Sequence, residues 1–203
     1  MPALQRVLEE ARRQGFLGPG PVEDHIRHAQ GMAALLEPPS GPMLDLGSGG
    51  GIPGLVVALE WPTARGVLLD SRGRRAEFLA ESLETLGLTS RFRTVGARAE
   101  DAARDPELRG RFALVLARGF GPPAVTAECA VAFLTEGTHL AVSEPPDTDP
   151  STRWPTDALT QLGFAPPEIL TGEGTTIARL TLTTEVADTW PRRPGIPTKR
   201  PLW

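Results

Sequence analysis

The spacing of apolar residues along the chain changes near residue 43. Up to that point apolar residues recur every three or four positions, which is the spacing of one helix face. In the first predicted helix, residues 2–14, they are Leu4, Val7, Leu8 and Ala11, and in the second they are Val22, Ile26, Ala29, Ala33 and Leu36. We expect these helices to form an N-terminal cap over residues 1–40.

From residue 43 onward, short apolar runs alternate with helical segments, which is the pattern of a parallel β-sheet covered by helices. The runs predict seven strands, at residues 43–45, 66–70, 92–95, 112–117, 139–143, 164–170 and 175–183. The longest helices between them are predicted at residues 73–86 and 122–134, and the proline-rich residues 144–155 predict a loop. Gly172 and Gly174 predict a tight hairpin, so the last two strands should be antiparallel.

The first strand leads into a glycine-rich turn at the start of a helix. Asp45 ends the strand, and Gly47, Ser48, Gly49 and further glycines follow it. Glycine allows a positive φ and leaves no Cβ between the main chain and a ligand. The amides of a helix N-terminus can also bind a polar ligand. This turn therefore predicts a site for a nucleotide-type cofactor.

Two kinds of cofactor fit this turn. Gly49, Gly51 and Gly54 have the G-x-G-x-x-G spacing of dinucleotide-binding folds. Asp45 together with Gly47, Gly49 and Gly51, in contrast, resembles motif I of class I S-adenosylmethionine-dependent methyltransferases, whose sheet also ends in an antiparallel hairpin. We therefore favour S-adenosylmethionine over a dinucleotide.

Positions at the carboxyl ends of three further strands complete the predicted site. Asp70 ends the second strand, where an acid accepts hydrogen bonds from the ribose hydroxyls of the cofactor. Residues 96–100 follow the third strand, where an adenine ring would lie. Arg118 ends the fourth strand, and its guanidinium should face the crevice and bind the carboxylate of the donor or a phosphate.

The composition limits the function classes. No apolar run is long enough to cross a bilayer and the N-terminus has no signal-peptide pattern, so we expect a cytoplasmic protein without a membrane partner. The single cysteine, Cys129, excludes an internal disulfide and is expected in the core. His25 and His28 are expected to be surface or capping residues of the second helix. None of these residues has metal-ligand spacing, so no metal site is predicted.

Residues 190–203 form a tail that is rich in proline and carries no acid, although the whole chain has a net charge of −4. Its cations are Arg192, Arg193, Lys199 and Arg200. If the acceptor is a nucleic acid, we expect the prolines to keep the tail extended and the four cations to bind its phosphates. In that case removal of residues 191–203 leaves donor affinity nearly unchanged. The alternative is that apolar side chains anchor the tail on the domain of residues 41–189, namely Trp190, Ile196, Leu202 and Trp203.

Five segments together resemble the bacterial ribosomal RNA small subunit methyltransferase G family, also called glucose-inhibited division protein B. They are residues 45–55 (DLGSGGGIPGL), 68–79, 98–100, 117–119 and 190–202. The resemblance implies an α/β class I methyltransferase (Rossmann-like) fold with a seven-stranded sheet. It also implies S-adenosylmethionine as the cofactor and transfer of its methyl group to guanine N7 of 16S ribosomal RNA, with ribosomal RNA or the small ribosomal subunit as the partner.

The resemblance also implies site residues by position. The donor would be bound by Gly47, Ile52, Ala99, Glu100 and Arg118. We expect Arg118 to be the catalytic residue as well. Asp45, Ser48, Gly49 and Asp70 are expected to contribute to the same cofactor site.

Two other functions stay open at this point. The Trp-Asn and Asn-Leu-Thr signature of the family, before the second helix, has no counterpart here, and Ser143 and Glu144 follow the fifth strand where a lysine is expected. The chain is therefore also compatible with a divergent methyltransferase that acts on a small molecule, or with a non-catalytic module that only binds the donor. The sequence alone does not decide between these functions.

Overall fold

The computed structural model describes residues 2–145 and 149–203, and within them seven strands form one sheet. The strands are β1 (Met43–Leu46), β2 (Gly66–Asp70), β3 (Phe92–Gly96), β4 (Phe112–Ala117), β5 (Leu134–Ser143), β6 (Glu168–Gly172) and β7 (Thr175–Thr181). Their order is β3-β2-β1-β4-β5-β7-β6. Strands β1 to β5 are parallel, and β7 is antiparallel to both β5 and β6. The predicted sheet, including its final hairpin, is confirmed.

Nine helical segments lie in the described residues. They are α1 (Pro2–Arg13), α2 (Val22–Ala34), α3 (Gly54–Glu60), α4 (Gly73–Thr85), α5 (Ala99–Ala102), α6 (Pro123–Val131), α7 (Pro150–Arg153), α8 (Thr156–Gln161) and α9 (Ile196–Lys199). In residues 2–145 and 149–203, no helix has both the length and the apolar character that crossing a membrane requires.

The central strands are buried on both faces, which explains their almost continuous apolar sequence. On one face Leu44 pairs in register with Val67 and Val115, and all three belong to a core shared with α5, α6 and α8. On the other face, Met43 and Leu68 pack in a second core with α1 to α4. The N-terminal helices therefore cover the sheet itself, as part of one of its two helical layers.

Some boundaries differ from the prediction for clear physical reasons. β6 begins only at Glu168, because Pro166 and Pro167 have no amide hydrogen for a ladder, and Phe164 is left with an isolated bridge to Leu182. β5 begins five residues before its predicted start, in a polar stretch that apolar spacing could not reveal.

The predicted loop 144–155 contains the turn α7, and its residues 146–148 lie outside the described residues. The tail is also not fully extended, since α9 forms one helical turn in it.

Candidate active site

The glycine turn after β1 is held at the carboxyl edge of the sheet by backbone hydrogen bonds. The amides of Gly47 and Ser48 both donate to the carbonyl of Leu69, at 2.8 and 2.9 Å. Gly47 has a φ of 74°, and a Cβ added there would lie 2.6 Å from the ring of Phe120. Only glycine can adopt this φ and lie this close to Phe120 without strain. The turn is thus fixed in a shape that exposes main chain to the crevice above it.

Asp70 joins this turn to β2. Its Oδ2 accepts a hydrogen bond from the amide of Gly49 at 2.9 Å, and its Oδ1 accepts one from the amide of Arg72 at 2.9 Å. The guanidinium of Arg75 lies 3.7 Å from Oδ2. Each carboxylate oxygen retains capacity for a further hydrogen bond. Asp70 can therefore shape the glycine turn and accept hydroxyl groups of a ligand at the same time.

Asp45 lies beneath the turn. It is 1% exposed, its Oδ2 accepts a hydrogen bond from the amide of Gly54 at 3.1 Å, and its Oδ1 has no hydrogen-bond partner in the described part of the chain. Burial raises the pKa of Asp45 to about 7. Asp45 is not among the residues that line the crevice, so it is placed to support the turn from below, whereas the sequence prediction had it contact the cofactor.

Two neighbouring cavities that share lining residues form the crevice. The β2 cavity, of about 260 Å³, lies beside Asp70. The β4 cavity, of about 480 Å³, lies beside Arg118 and under residues 15–19, which connect α1 to α2. Gly47, Arg75 and Gly119 line both cavities. Together the two could hold one elongated ligand that passes over Gly47.

The predicted cofactor residues, apart from Asp45, all line this crevice. Gly47, Asp70, Ala99 and Glu100 line the β2 cavity. Gly47, Ser48, Gly49, Ile52 and Arg118 line the β4 cavity. The fold therefore brings together eight positions that are spread over more than 70 residues of sequence.

Glu100 closes one side of the β2 cavity. Its carboxylate is 4% exposed, and its Oε1 accepts hydrogen bonds from Arg98 Nη2 at 2.8 Å and from the amide of Gly195 at 2.9 Å. Burial alone would raise the pKa of Glu100, but these hydrogen bonds outweigh it and lower the pKa. Glu100 is therefore a fixed carboxylate that also contacts the tail.

Arg118 is half-buried at the end of β4 and donates from Nη2 to Nδ1 of His25, at 2.9 Å. Because a guanidinium only donates, Nδ1 of His25 is the acceptor, and the ring carries its hydrogen on Nε2, which lies 3.2 Å from the carbonyl of Gly18. Burial lowers the pKa of Arg118. Within residues 2–145 and 149–203, no carboxylate lies within ion-pair distance of it. Arg118 thus presents a guanidinium without a counter-ion to the β4 cavity.

The two histidines of α2 do not lie at the surface as predicted. His25 is 8% exposed, and His28 is half-buried with Nε2 at 2.7 Å from Ser143 Oγ. Burial, with the charge of Arg118 as a further cause, lowers the pKa of His28 to about 4. The spacing of His25 from Val22 and Ala29 is that of the buried helix face, and this signal could have identified it.

The tail is packed against the domain, and its cations differ in accessibility. Arg192 donates from Nε and Nη2 to the two carboxylate oxygens of Glu128, at 2.8 and 2.6 Å, and Glu128 is fully buried. Arg192 is therefore held in an ion pair although its side chain is 28% exposed, and its role in RNA binding stays a prediction. Arg193, Lys199 and Arg200 are exposed.

Among the solved structures with a similar fold is an RNA methyltransferase from Salinibacter ruber in complex with S-adenosyl-L-homocysteine. It is 19% identical, has a TM-score of 0.59, and the match covers 84% of this chain and 97% of that chain. A predicted O-methyltransferase from Agrobacterium tumefaciens is 20% identical, with a TM-score of 0.60 and coverage of 78% and 81%. These likenesses confirm the class I methyltransferase fold.

The sequence comparisons are more specific. A family model described as rRNA small subunit methyltransferase G matches residues 22–143. The ribosomal RNA small subunit methyltransferase G of Pelotomaculum thermopropionicum is 35% identical over 79% of this chain and 69% of its own length, and that of Desulfitobacterium hafniense is 32% identical over 90% and 79%. From these matches we conclude that the chain belongs to the ribosomal RNA small subunit methyltransferase G family.

Proposed function

We propose that this protein transfers the methyl group of S-adenosylmethionine to N7 of a guanine in 16S ribosomal RNA. The family supplies the reaction class and the cofactor. The observation that carries the proposal is the polarity of the crevice, which has buried carboxylates at one end and, at the other, the guanidinium of Arg118, which has no counter-ion among the described residues. This arrangement complements a ligand with a ribose diol at one end and an amino-acid carboxylate at the other.

The residues present fit such a donor. Asp70 and Glu100 offer acceptors to the ribose and adenine groups, and Gly47 leaves room for the chain that joins the two ends. Arg118 offers charge-assisted hydrogen bonds to a carboxylate. At the junction of the two cavities, Arg75 Nε is buried and has no hydrogen-bond partner among the described residues. A buried donor without a partner costs free energy, and a bound ligand would remove that cost.

The bound donor supplies an electrophilic methyl group on its sulfonium. Guanine N7 attacks with a lone pair and carries no proton, so the protein does not need a general base. Its task is to align N7 with the methyl group. The state of two side chains that line the crevice is consistent with this requirement. His25 has its acceptor nitrogen bonded to Arg118, and burial raises the pKa of the Cys129 thiol, which keeps it protonated.

The acceptor would approach past the tail and the start of α4. Arg193, Lys199 and Arg200 are exposed on the tail. Arg72, which lines the β2 cavity, and Arg74 are exposed around the start of α4. Each cation that meets a phosphate adds to affinity through the release of counter-ions. We infer that this basic surface binds the RNA backbone, with the small ribosomal subunit as the partner that presents the guanine.

One observation favours a second acceptor class. Phe16, Leu17 and Gly18 cover the β4 cavity, so a small molecule would be enclosed there beside Arg118. An enzyme for a small acceptor would not need the exposed cations of the tail.

A labelling experiment distinguishes an RNA acceptor from a small-molecule acceptor. The protein is incubated with S-adenosylmethionine labelled in the methyl group, together with small ribosomal subunits or free 16S RNA from a strain that lacks this gene. We expect label in 16S RNA, at a guanine that becomes sensitive to reduction and aniline cleavage. The variant Asp70→Ala, which lacks the ribose acceptor, is the negative control. Label in a low-molecular-weight fraction of a cell extract, with none in RNA, would assign the protein to the small-molecule class.

A further inference from the structure

The tail is fixed to α6 by an ion pair in which solvent does not reach the Glu128 carboxylate and the Arg192 side chain is 28% exposed. Glu128 lies in α6 with no exposed surface, and both of its carboxylate oxygens accept hydrogen bonds from the guanidinium of Arg192. The amide of Arg192 also donates to Glu128 Oε1 at 2.9 Å. A buried carboxylate that loses its only cation is strongly destabilised, so this pair holds the tail firmly.

Other hydrogen bonds fix the chain on either side of the pair. Arg109 Nη1 donates to the carbonyl of Trp190 at 2.8 Å, and Arg104 Nη2 donates to the carbonyl of Pro191 at 2.9 Å. At the other end, the indole of Trp203 donates to the carbonyl of Arg153 at 2.9 Å and packs edge-on against Trp154. The tail is therefore held at three places along its length.

Between these fixed points the tail reaches the β2 cavity. The amide of Gly195 donates to Glu100 Oε1 at 2.9 Å, and Thr198 lines the cavity together with Asp70 and Ala99. Thr198 comes from α9, whose single turn begins after Gly195 in a left-handed conformation with a φ of 81°. The tail thus supplies one wall of the space assigned above to the adenosine part of the donor.

We propose that the tail is part of the donor site: Thr198 contacts the adenosine moiety, and the Glu128–Arg192 pair holds Thr198 and Gly195 in position. This rests on the donor site of the proposed function, and it reverses the expectation that removing residues 191–203 leaves donor affinity unchanged. The inner side of the tail serves the donor, and its outer side, with Arg193 and Lys199, stays free for RNA.

The test measures binding of S-adenosylhomocysteine to the full-length protein by calorimetry. The variant Thr198→Phe places a ring in the β2 cavity at an exposed position, so the fold should be kept. We expect it to lower the affinity at least tenfold without changing the melting temperature of the ligand-free protein. Arg192→Ala should also lower the affinity at least tenfold, whereas Arg193→Ala, one position along the same tail, should leave it within twofold of the wild type.

Hydrogen exchange gives an independent readout. In the wild-type protein, binding of S-adenosylhomocysteine should slow exchange of the amides of Gly195, Ile196, Thr198 and Lys199, because the ligand would contact Thr198 in the cavity wall and hold this turn in place. Wild-type affinity in Thr198→Phe, or exchange in the tail that the ligand does not change, would overturn the proposal. A wild-type protein that does not bind S-adenosylhomocysteine would instead refute the donor site itself. Donor binding without RNA methylation would refute only the acceptor.

Discussion

Nη2 of Arg118 donates to Nδ1 of His25 at 2.9 Å, and this hydrogen bond joins the end of β4 to the helix α2. The bond fixes the direction of a guanidinium that otherwise has no anionic partner among the described residues. It also uses the only free lone pair of the neutral imidazole. His25 is therefore a positioning residue for Arg118, and Arg118 is the group that would contact the donor.

Replacing His25 with phenylalanine tests this relationship. His25→Phe keeps a ring in the buried space but removes the acceptor, so the guanidinium loses its orientation. We expect the KM for S-adenosylmethionine to rise about 5–50-fold, equivalent to about 1–2 kcal/mol, while Arg118→Ala abolishes turnover. His139→Phe, a matched change on β5 outside the crevice, should have kinetics close to the wild type. An unchanged KM in His25→Phe would show that Arg118 holds its direction without this bond.

The carboxylate of Asp70 is predicted to bind the ribose of the donor. Asp70→Asn keeps one acceptor oxygen and removes the charge, so the hydrogen bonds to ribose hydroxyls lose their charge-assisted part. We expect the affinity for S-adenosylhomocysteine to fall by about 1–3 kcal/mol, measured by calorimetry. Asp101→Asn, an acid on α5 that does not line the crevice, is the control. Equal affinity in both variants would mean that Asp70 acts only on the glycine turn.

The exposed cations of the tail are predicted to bind RNA phosphates. Replacing Arg193, Lys199 and Arg200 together with alanine should reduce the slope of log affinity against log salt by about 2–3. Affinity for S-adenosylhomocysteine should not change, because Arg192 and Thr198 remain. Filter binding of 16S RNA between about 50 and 200 mM salt measures the slope. A slope equal to that of the wild type would remove the tail from the RNA surface.

The pKa of His28 predicts a loss of stability in acid. Its pKa is lowered to about 4 in the folded protein, so between pH 6.5 and 4 the unfolded chain binds a proton that the folded protein does not. The free energy of unfolding should therefore fall as the pH drops through this range. Because His28 is only half-buried, we expect a contribution of about 1–3 kcal/mol.

Urea unfolding at pH 4.5, 5.5 and 7 measures this contribution. The variant His28→Gln has no titrating ring, so its stability relative to the wild type should increase as the pH falls. A constant difference between the two proteins would show that His28 is protonated equally in both states.

Asp45 predicts the opposite pH dependence. Its pKa is raised from 3.8 to about 7, so in that range the folded protein keeps a proton that the unfolded chain releases, and stability is lost as the pH rises. In Asp45→Asn this loss is absent. We expect the stability of the variant relative to the wild type to increase between pH 4 and 7, by on the order of 2 kcal/mol. Parallel pH profiles would contradict a raised pKa.

The strands that form the crevice could be read from the sequence with accuracy. β2 and β4 have the predicted boundaries, because each is a continuous apolar run that ends in one charged or polar position. The predicted cofactor residues other than Asp45 line the crevice at this edge, and the parallel order of the strands predicts that they converge there. The apolar character of each strand and the polar residue at its end are enough to predict where these positions lie.

The hydrogen-bond and ion-pair partners of charged side chains could not be predicted from the sequence in this way. His25 and Arg118 are 93 positions apart, and Glu128 and Arg192 are 64 positions apart. Local spacing carries no information about contacts over such distances. Glu128 nevertheless left a signal, since it lies in a mostly apolar helix, where a buried carboxylate requires a cation as its partner. The tail contains the arginine that meets this need, which is why it packs on the domain.

The Glu128–Arg192 pair also restricts how this enzyme can change in evolution. Glu128 accepts hydrogen bonds from the side chain and the backbone amide of residue 192, and Arg192 donates to the carbonyl of Arg200 as well. Exchanging the two residues would place an arginine opposite a backbone donor, so a reversed pair would not restore the contact. Neither position can change alone, and joint replacement by an apolar pair of similar volume would leave the amide of residue 192 without its acceptor. A side-chain contact and a backbone contact thus depend on one carboxylate, and we expect both residues to persist wherever the tail packs on α6 in this way.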